Sequence, residues 1–241
     1  MKNKPDVLMI DGNGILHPFG LGIASFVGLE LDIPSVKPVI KKQNIKSFDD
    51  LEYSTIKVFD IPLRDGNSLL DNLKFIAYQD TGIYIFKSDR LYLAIWAGSN
   101  GQKGNGGHSH NDKLSFELNI DGKDIIVDAG TYLYTPLPNR RNQFRSTKVH
   151  NTLIVENEEQ NEWIEGRYGL FSMKNQSKCY LLDYGQNFVD VAVEYRGIKH
   201  RRKFMIEKEK ISIENYSNKK FGEIYNDCKL YSNGYGKLLN I

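Results

Sequence analysis

From about residue 75 onward the chain consists of short runs in which apolar residues alternate with polar ones, or give way to β-branched and aromatic stretches. Alternation with a period of two puts one face of a strand in a core and the other in water, and such residues suit a pleated, half-buried surface. The pattern predicts strands at residues 82–86, 91–96, 114–120, 125–127 and 152–155, then at 189–195, 200–206 and 211–213. Asp121-Gly122 predicts a tight hairpin turn, because both residues tolerate positive φ. Strands spaced about ten residues apart, with almost no helical periodicity among them, predict a mainly β fold, an antiparallel β-sandwich.

The pattern differs nearer the amino terminus. Residues 5–36 are apolar and Gly-rich and read as a strand at 5–10 and an amphipathic helix at 21–31, whereas residues 37–60 are rich in Lys, Asp and Ser. The expected organisation is a βα fragment in residues 1–42, a linker in 43–70 and the sandwich in 71–241. The strand pattern fades from Tyr225 to the end, as expected of a truncated sandwich.

Composition narrows the function classes. With 40% hydrophobic and 26% charged residues, the 241-residue chain has the balance of a folded globular protein. Lys+Arg at 32 against Asp+Glu at 30 leaves a net charge of +2, so a polyanion site must be local, and nucleic acid is not the expected partner. Two cysteines, Cys179 and Cys228, make neither a metal knuckle nor a disulfide framework, though one disulfide stays open. Asp11-Gly12 interrupts the apolar stretch 7–10, leaving no signal-peptide core, and no run approaches the roughly 20 residues of a membrane span. As written, the chain is expected in the cytoplasm.

The candidate chemistry lies in three blocks: Gly104-Asn105-Gly106-Gly107-His108-Ser109-His110-Asn111-Asp112-Lys113, Val127-Asp128-Ala129-Gly130-Thr131-Tyr132, and Arg145-Ser146-Thr147-Lys148-Val149-His150-Asn151-Thr152. In an extended segment His108 and His110 share one face, with Asp128 and His150 at the ends of neighbouring strands. Imidazoles and a carboxylate are a normal zinc ligand set, yet isolated histidines also serve as exposed or hydrogen-bonded structural residues; the residues alone leave both readings open. No Gly-Lys-Ser/Thr follows the glycines, which excludes a phosphate loop. Arg145 is a candidate for holding an acidic group, because a guanidinium fork matches carboxylate and sulfate. Arg140 and Arg141 read as solvated surface charge.

These blocks, within residues 81–202 and more weakly across 70–215, closely resemble the carboxy-terminal β domain of the heparinase II/III family. The resemblance implies that His110, Asp128 and His150 bind a divalent metal, zinc being expected, with donor atoms about 3 to 4 Å apart. It also implies that His108 faces the substrate groove, as a catalytic donor or as a group that orients a metal ligand. Such enzymes, which include heparin, heparan and alginate lyases, cleave uronic-acid polysaccharides by β-elimination and are expected in the periplasm or outside the cell. Their tyrosine acid/base comes from a helical toroid, for which about 70 preceding residues leave no room. The expected partners are therefore an acidic polysaccharide and a separate toroid domain, and turnover by the chain alone is not expected. Tyr132 and Tyr134 read as core or rim residues without a catalytic role. A non-catalytic carbohydrate-binding or structural β module is the alternative.

Residues 5–36 resemble an internal piece of endonuclease V. Asp11 matches a magnesium-binding aspartate and His17-Pro18 the following turn, but Phe19 stands where that family has Arg. The other metal carboxylates are missing from this stretch, so nuclease activity is not expected, and a nuclease-derived nucleic-acid binder ranks last. Two signatures joined in this way imply a rearranged reading frame or a fusion.

Overall fold

The computed structural model describes residues 41–43, 45–101, 104–223 and 231–239. The strand and helix expected within residues 5–36 lie outside the described residues.

Two five-stranded antiparallel sheets form the body of the domain. One has the order β2 (Lys74–Tyr78), β3 (Ile83–Lys87), β4 (Leu91–Trp96), β5 (Phe116–Ile120), β6 (Lys123–Ile126), an uninterrupted meander. The other has the order β1 (Tyr53–Asp60), β11 (Lys210–Ser217), β10 (Ile198–Ile206), β9 (Phe188–Tyr195), β8 (Ser177–Tyr184). Between the sheets in sequence come a single described α-helix, α1 (Pro138–Arg145), and β7 (Leu153–Val155), which pairs with β12 (Phe221–Glu223). A last hairpin joins β13 (Tyr231–Gly234) to β14 (Lys237–Leu239).

The expected alternation builds the core. Leu93, Ile95, Phe116 and Leu118 from one sheet pack with Val189, Val191, Phe204, Ile206, Ile211 and Ile213 from the other, and the rings of Phe116 and Phe204 meet edge to face at 5.4 Å. Tight turns set the register. Asp121 and Gly122 have φ of 52° and 79°, the left-handed pair a primed hairpin turn requires. Arg196 and Gly197, at 45° and 80°, do the same between β9 and β10.

The inward face of β10 changes from apolar to polar along its length: Phe204 and Ile206 face the core, while Arg202 and His200 are equally buried. Arg202 donates through Nη1 to the carbonyls of Leu114 and Asn151 and through Nε to Asn215 Oδ1. A buried guanidinium thus ties the second sheet to the loops after β4 and before β7, where the candidate residues lie.

Two expectations need correction. Residues 43–70 are not a free linker: Gln43 donates its backbone N–H to Leu181, Phe48 is buried against Tyr180, and β1 pairs with β11 over all eight residues. As an edge strand, β1 is mostly exposed, and its apolar Ile56 and Val58 face outward, so its pattern does not follow burial. Nor is the carboxy-terminal stretch without strands, since the β13–β14 hairpin docks through Ser232 and Gly236 N–H groups on the carbonyls of Ala129 and Tyr132.

Candidate functional site

The three blocks converge. The long β4–β5 connection coils through Gly101, Gly104 and Gly106, all at positive φ. At Gly106 a Cβ would stand 2.2 Å from the Met173 carbonyl oxygen, so only glycine lets the loop lie against residues 171–173. His108, itself at φ 55°, donates its N–H to the Phe171 carbonyl. Its imidazole packs on the rings of Phe171 and Tyr134, at 5.4 and 5.9 Å.

Two carboxamides and a carboxylate hold the loop to the third block. Asn111 Oδ1 accepts from the backbone and side chain of Asn161, while Asn111 Nδ2 donates to the Asn161 carbonyl and to Glu159. Glu159 also accepts from the Ser146 hydroxyl and from the N–H and hydroxyl of Thr147. These contacts bring His110 beside His150, with ring centroids 5.2 Å apart. His150 is fully buried, and its Nδ1 is 2.6 Å from Asp128 Oδ1. Asp128 Oδ2 accepts from Gly130 N–H.

Burial works to raise the Asp128 carboxyl and to lower the His150 imidazole, but their mutual charge and hydrogen bond prevail. Asp128 stays below the usual carboxylate range and His150 above the usual imidazole value. His110 is held well below its ordinary value by burial, with His150, Arg141, Arg145 and Lys113 adding to the effect, so it is neutral.

Two buried arginines cross this region from α1. Pro138 occupies the first turn, where its missing N–H costs nothing, and positions 141 and 145, four residues apart, share one face. Arg145 is wholly buried; it donates to the carbonyls of Ser109, Gly169 and Ser172 and lies over the Trp163 ring. It therefore braces the histidine loop against residues 169–172 and presents no free edge to a sugar, which corrects the expectation of a substrate-binding Arg145. Arg141 is not solvated either. It is fully buried, donates through Nε to the Leu170 carbonyl, places Nη1 3.2 Å from His110 Nε2, and stacks over Tyr134 at 4.9 Å. Burial pushes both guanidinium groups down to about 10. Only Arg140, hydrogen-bonded to Gln143, is exposed as expected.

The structure thus gathers His110, Asp128 and His150, sets His108 apart against Phe171 and Tyr134, and places Arg145 under the loop that carries both His108 and His110. The donor types of His110, Asp128 and His150 suit a zinc-like ion, and His150 Nε2 is a buried ring nitrogen without a hydrogen-bond partner. As they stand, no three His, Cys, Asp or Glu side chains among the described residues form a set that could hold a metal ion. Asp128 and His150 are paired with each other, and Arg141 occupies His110 Nε2. Sequence reasoning missed Arg141 and Glu159. For Arg141, its spacing of four from Arg145, with Phe144 between, was the available signal.

Residues 71–216 match the family described as Heparinase II/III-like, C-terminal, and residues 1–70 match Endonuclease V. Among curated proteins, endonuclease V of Dictyoglomus thermophilum is 61% identical over 36 residues, which are 15% of this chain and 16% of that protein. The Thermus thermophilus enzyme is 59% identical over 36 residues, with the same shares. Among solved structures, a heparinase III with methylated lysines aligns with a TM-score of 0.43 at 23% identity, over 56% of this chain and 20% of that one. The heparan sulfate lyase HepC from Pedobacter heparinus aligns with a TM-score of 0.41 at 21% identity, over the same shares. The chain therefore spans about a fifth of those lyases and about a sixth of those nucleases. No described helix is long and apolar enough to cross a membrane.

Proposed function

The chain belongs to the heparinase II/III-like, C-terminal family, and from that premise we propose that its sandwich is the metal-binding β part of a lyase that cleaves uronic-acid polysaccharides by β-elimination. The observation that supports this reading is the meeting of His110, Asp128 and His150 in the loops between β4 and β7, on the loop that also carries His108. His110, Asp128 and His150 would hold the metal, and the ion would supply a fixed positive charge that locks its ligands in place.

β-Elimination removes the proton from the carbon next to a uronate carboxyl group. That proton becomes acidic only when the carboxylate is neutralised and the developing enolate is stabilised by positioned donors. His108 is suited to donate there, because Phe171 and Tyr134 fix its ring and its backbone is anchored to Phe171. The buried guanidinium groups of Arg141, stacked on Tyr134, and of Arg145, bonded to the Ser109 carbonyl, bias the region toward anions. The tyrosine that serves as acid and base in family members comes from a helical toroid, and the described residues include one α-helix of eight residues. Their own contribution is binding and charge stabilisation. The partners are accordingly an acidic polysaccharide and a helical toroid domain.

The test is a screen of uronate polysaccharides with the full chain, following binding by calorimetry and unsaturated product by ultraviolet absorbance. The expected result is weak, salt-sensitive binding, reduced about tenfold by His108→Ala, with little or no product. Binding that ignores His108→Ala would overturn the assignment of that residue. Strong product formation would mean that a local group such as Tyr132 or Tyr134 replaces the toroid's tyrosine. A second reading, a non-catalytic carbohydrate-binding module, draws on exposed Tyr235, whose ring lies 5.8 Å from that of Tyr134. Equal affinity for neutral and acidic oligosaccharides would favour it.

A further inference from the structure

Arg141 reaches His110 in a manner that bears directly on ion capture. The contact joins Arg141 Nη1 to His110 Nε2 at 3.2 Å. A guanidinium has donors only, so Nε2 must be the acceptor and the ring proton must sit on Nδ1. A metal bond consumes one lone pair of a neutral imidazole and leaves the proton on the other nitrogen. If the ion takes Nε2, the lone pair that accepts from Arg141 is gone; if it takes Nδ1, the proton moves to Nε2 and two donors face each other. Either way the contact breaks.

We propose that Arg141 is a built-in competitor for His110, a side chain that caps the imidazole in the ion-free protein and must be displaced before His110 can ligate a metal. The proposal rests on the metal-site reading above. Arg141 has somewhere to remain when displaced: its Nε bond to the Leu170 carbonyl and its stacking on Tyr134 do not involve His110. The guanidinium is not saturated, since its Nη2 is buried without a hydrogen-bond partner. A pivot about these two anchors frees the imidazole without expelling the side chain from the core.

The experiment measures zinc affinity of the full chain by competition with a chromophoric chelator. A hydrogen bond to a charged group is worth enough that its removal should tighten zinc binding in Arg141→Met about 10- to 100-fold. Arg140→Met, a change at the exposed neighbour, should leave affinity unchanged. Equal or weaker binding by Arg141→Met, with wild type binding zinc, overturns the competition and leaves the metal site standing. Absence of zinc binding in both overturns the metal site and this inference with it. Should Arg141→Met fail to fold, nitrogen-15 NMR of wild-type His110 decides: the ion-free ring must carry its proton on Nδ1, and a proton on Nε2 refutes the proposal.

Discussion

Replacing Arg145 with Met keeps an unbranched side chain of similar reach and removes every donor of the guanidinium. Three backbone carbonyls, those of Ser109, Gly169 and Ser172, then lose their partners at bonds now 2.8 to 3.0 Å long. Each buried acceptor left unsatisfied costs about 1 to 3 kcal/mol, giving a gross loss of roughly 3 to 9 kcal/mol. Removing a buried charge relieves part of this, because the guanidinium no longer has to be held out of water, and broken buried networks typically cost about 3 to 5 kcal/mol net. In a domain of this size each kcal/mol moves Tm by about 2 to 4 °C, so Arg145→Met should melt roughly 6 to 20 °C lower and unfold at lower urea. Circular dichroism melts and urea titrations measure both. A substrate-binding arginine behaves in the opposite way: its loss leaves the melt unchanged and abolishes oligosaccharide binding. A variant within about 2 °C of wild type that no longer binds acidic sugar would refute the bracing role.

Two further outcomes follow from the same geometry. In chelator, the Asp128–His150 pair should stabilise the protein fully between the ordinary carboxylate and imidazole values, about 4 and 6.5. That stability is lost as pH falls through the depressed Asp128 value and as pH rises through the raised His150 value; Asp128→Asn should flatten both limbs of the urea-midpoint profile, and parallel profiles would contradict the pairing. Gly106→Ala, at φ 70° and with its Cβ 2.2 Å from the Met173 oxygen, should cost at least about 1 kcal/mol in urea unfolding and weaken zinc binding by displacing the histidine loop; an unaltered midpoint would mean that the loop does not rest on residue 173.

The fold was legible where side-chain alternation coincided with burial. β4 occupies the expected 91–96, and β10 extends the expected 200–206 by two residues, because in each the period of two is unbroken. Alternation held in β10 even where the inward residues are His200 and Arg202, since pleating fixes the face whatever the chemistry. β8 was not anticipated because its pairing with β9 shifts register between Leu181 and Asp183, which breaks the period. Helix α1 was invisible for another reason: its buried face is Arg141, Phe144 and Arg145, so a hydrophobic stripe never forms.

The same physics explains what the site did and did not reveal in advance. The convergence of His110, Asp128 and His150 was legible because each sits in a short block whose residue types stand out, and the structure brings those side chains together. The arginines were misjudged because an arginine that faces water and one that faces backbone carbonyls look alike in sequence. The difference lies in where loop carbonyls point, and at Arg145 those carbonyls come from positions up to 36 residues away. Burying such charges near the histidines serves the site as well as the scaffold. Burial first, and then the charges of His150, Arg141, Arg145 and Lys113, keep His110 neutral with a lone pair to offer. A histidine in that form can accept from Arg141 or ligate an ion, whereas a protonated one can do neither. Burial, aided by the buried cations that hold the loop in shape, therefore also leaves His110 a lone pair for the proposed ion.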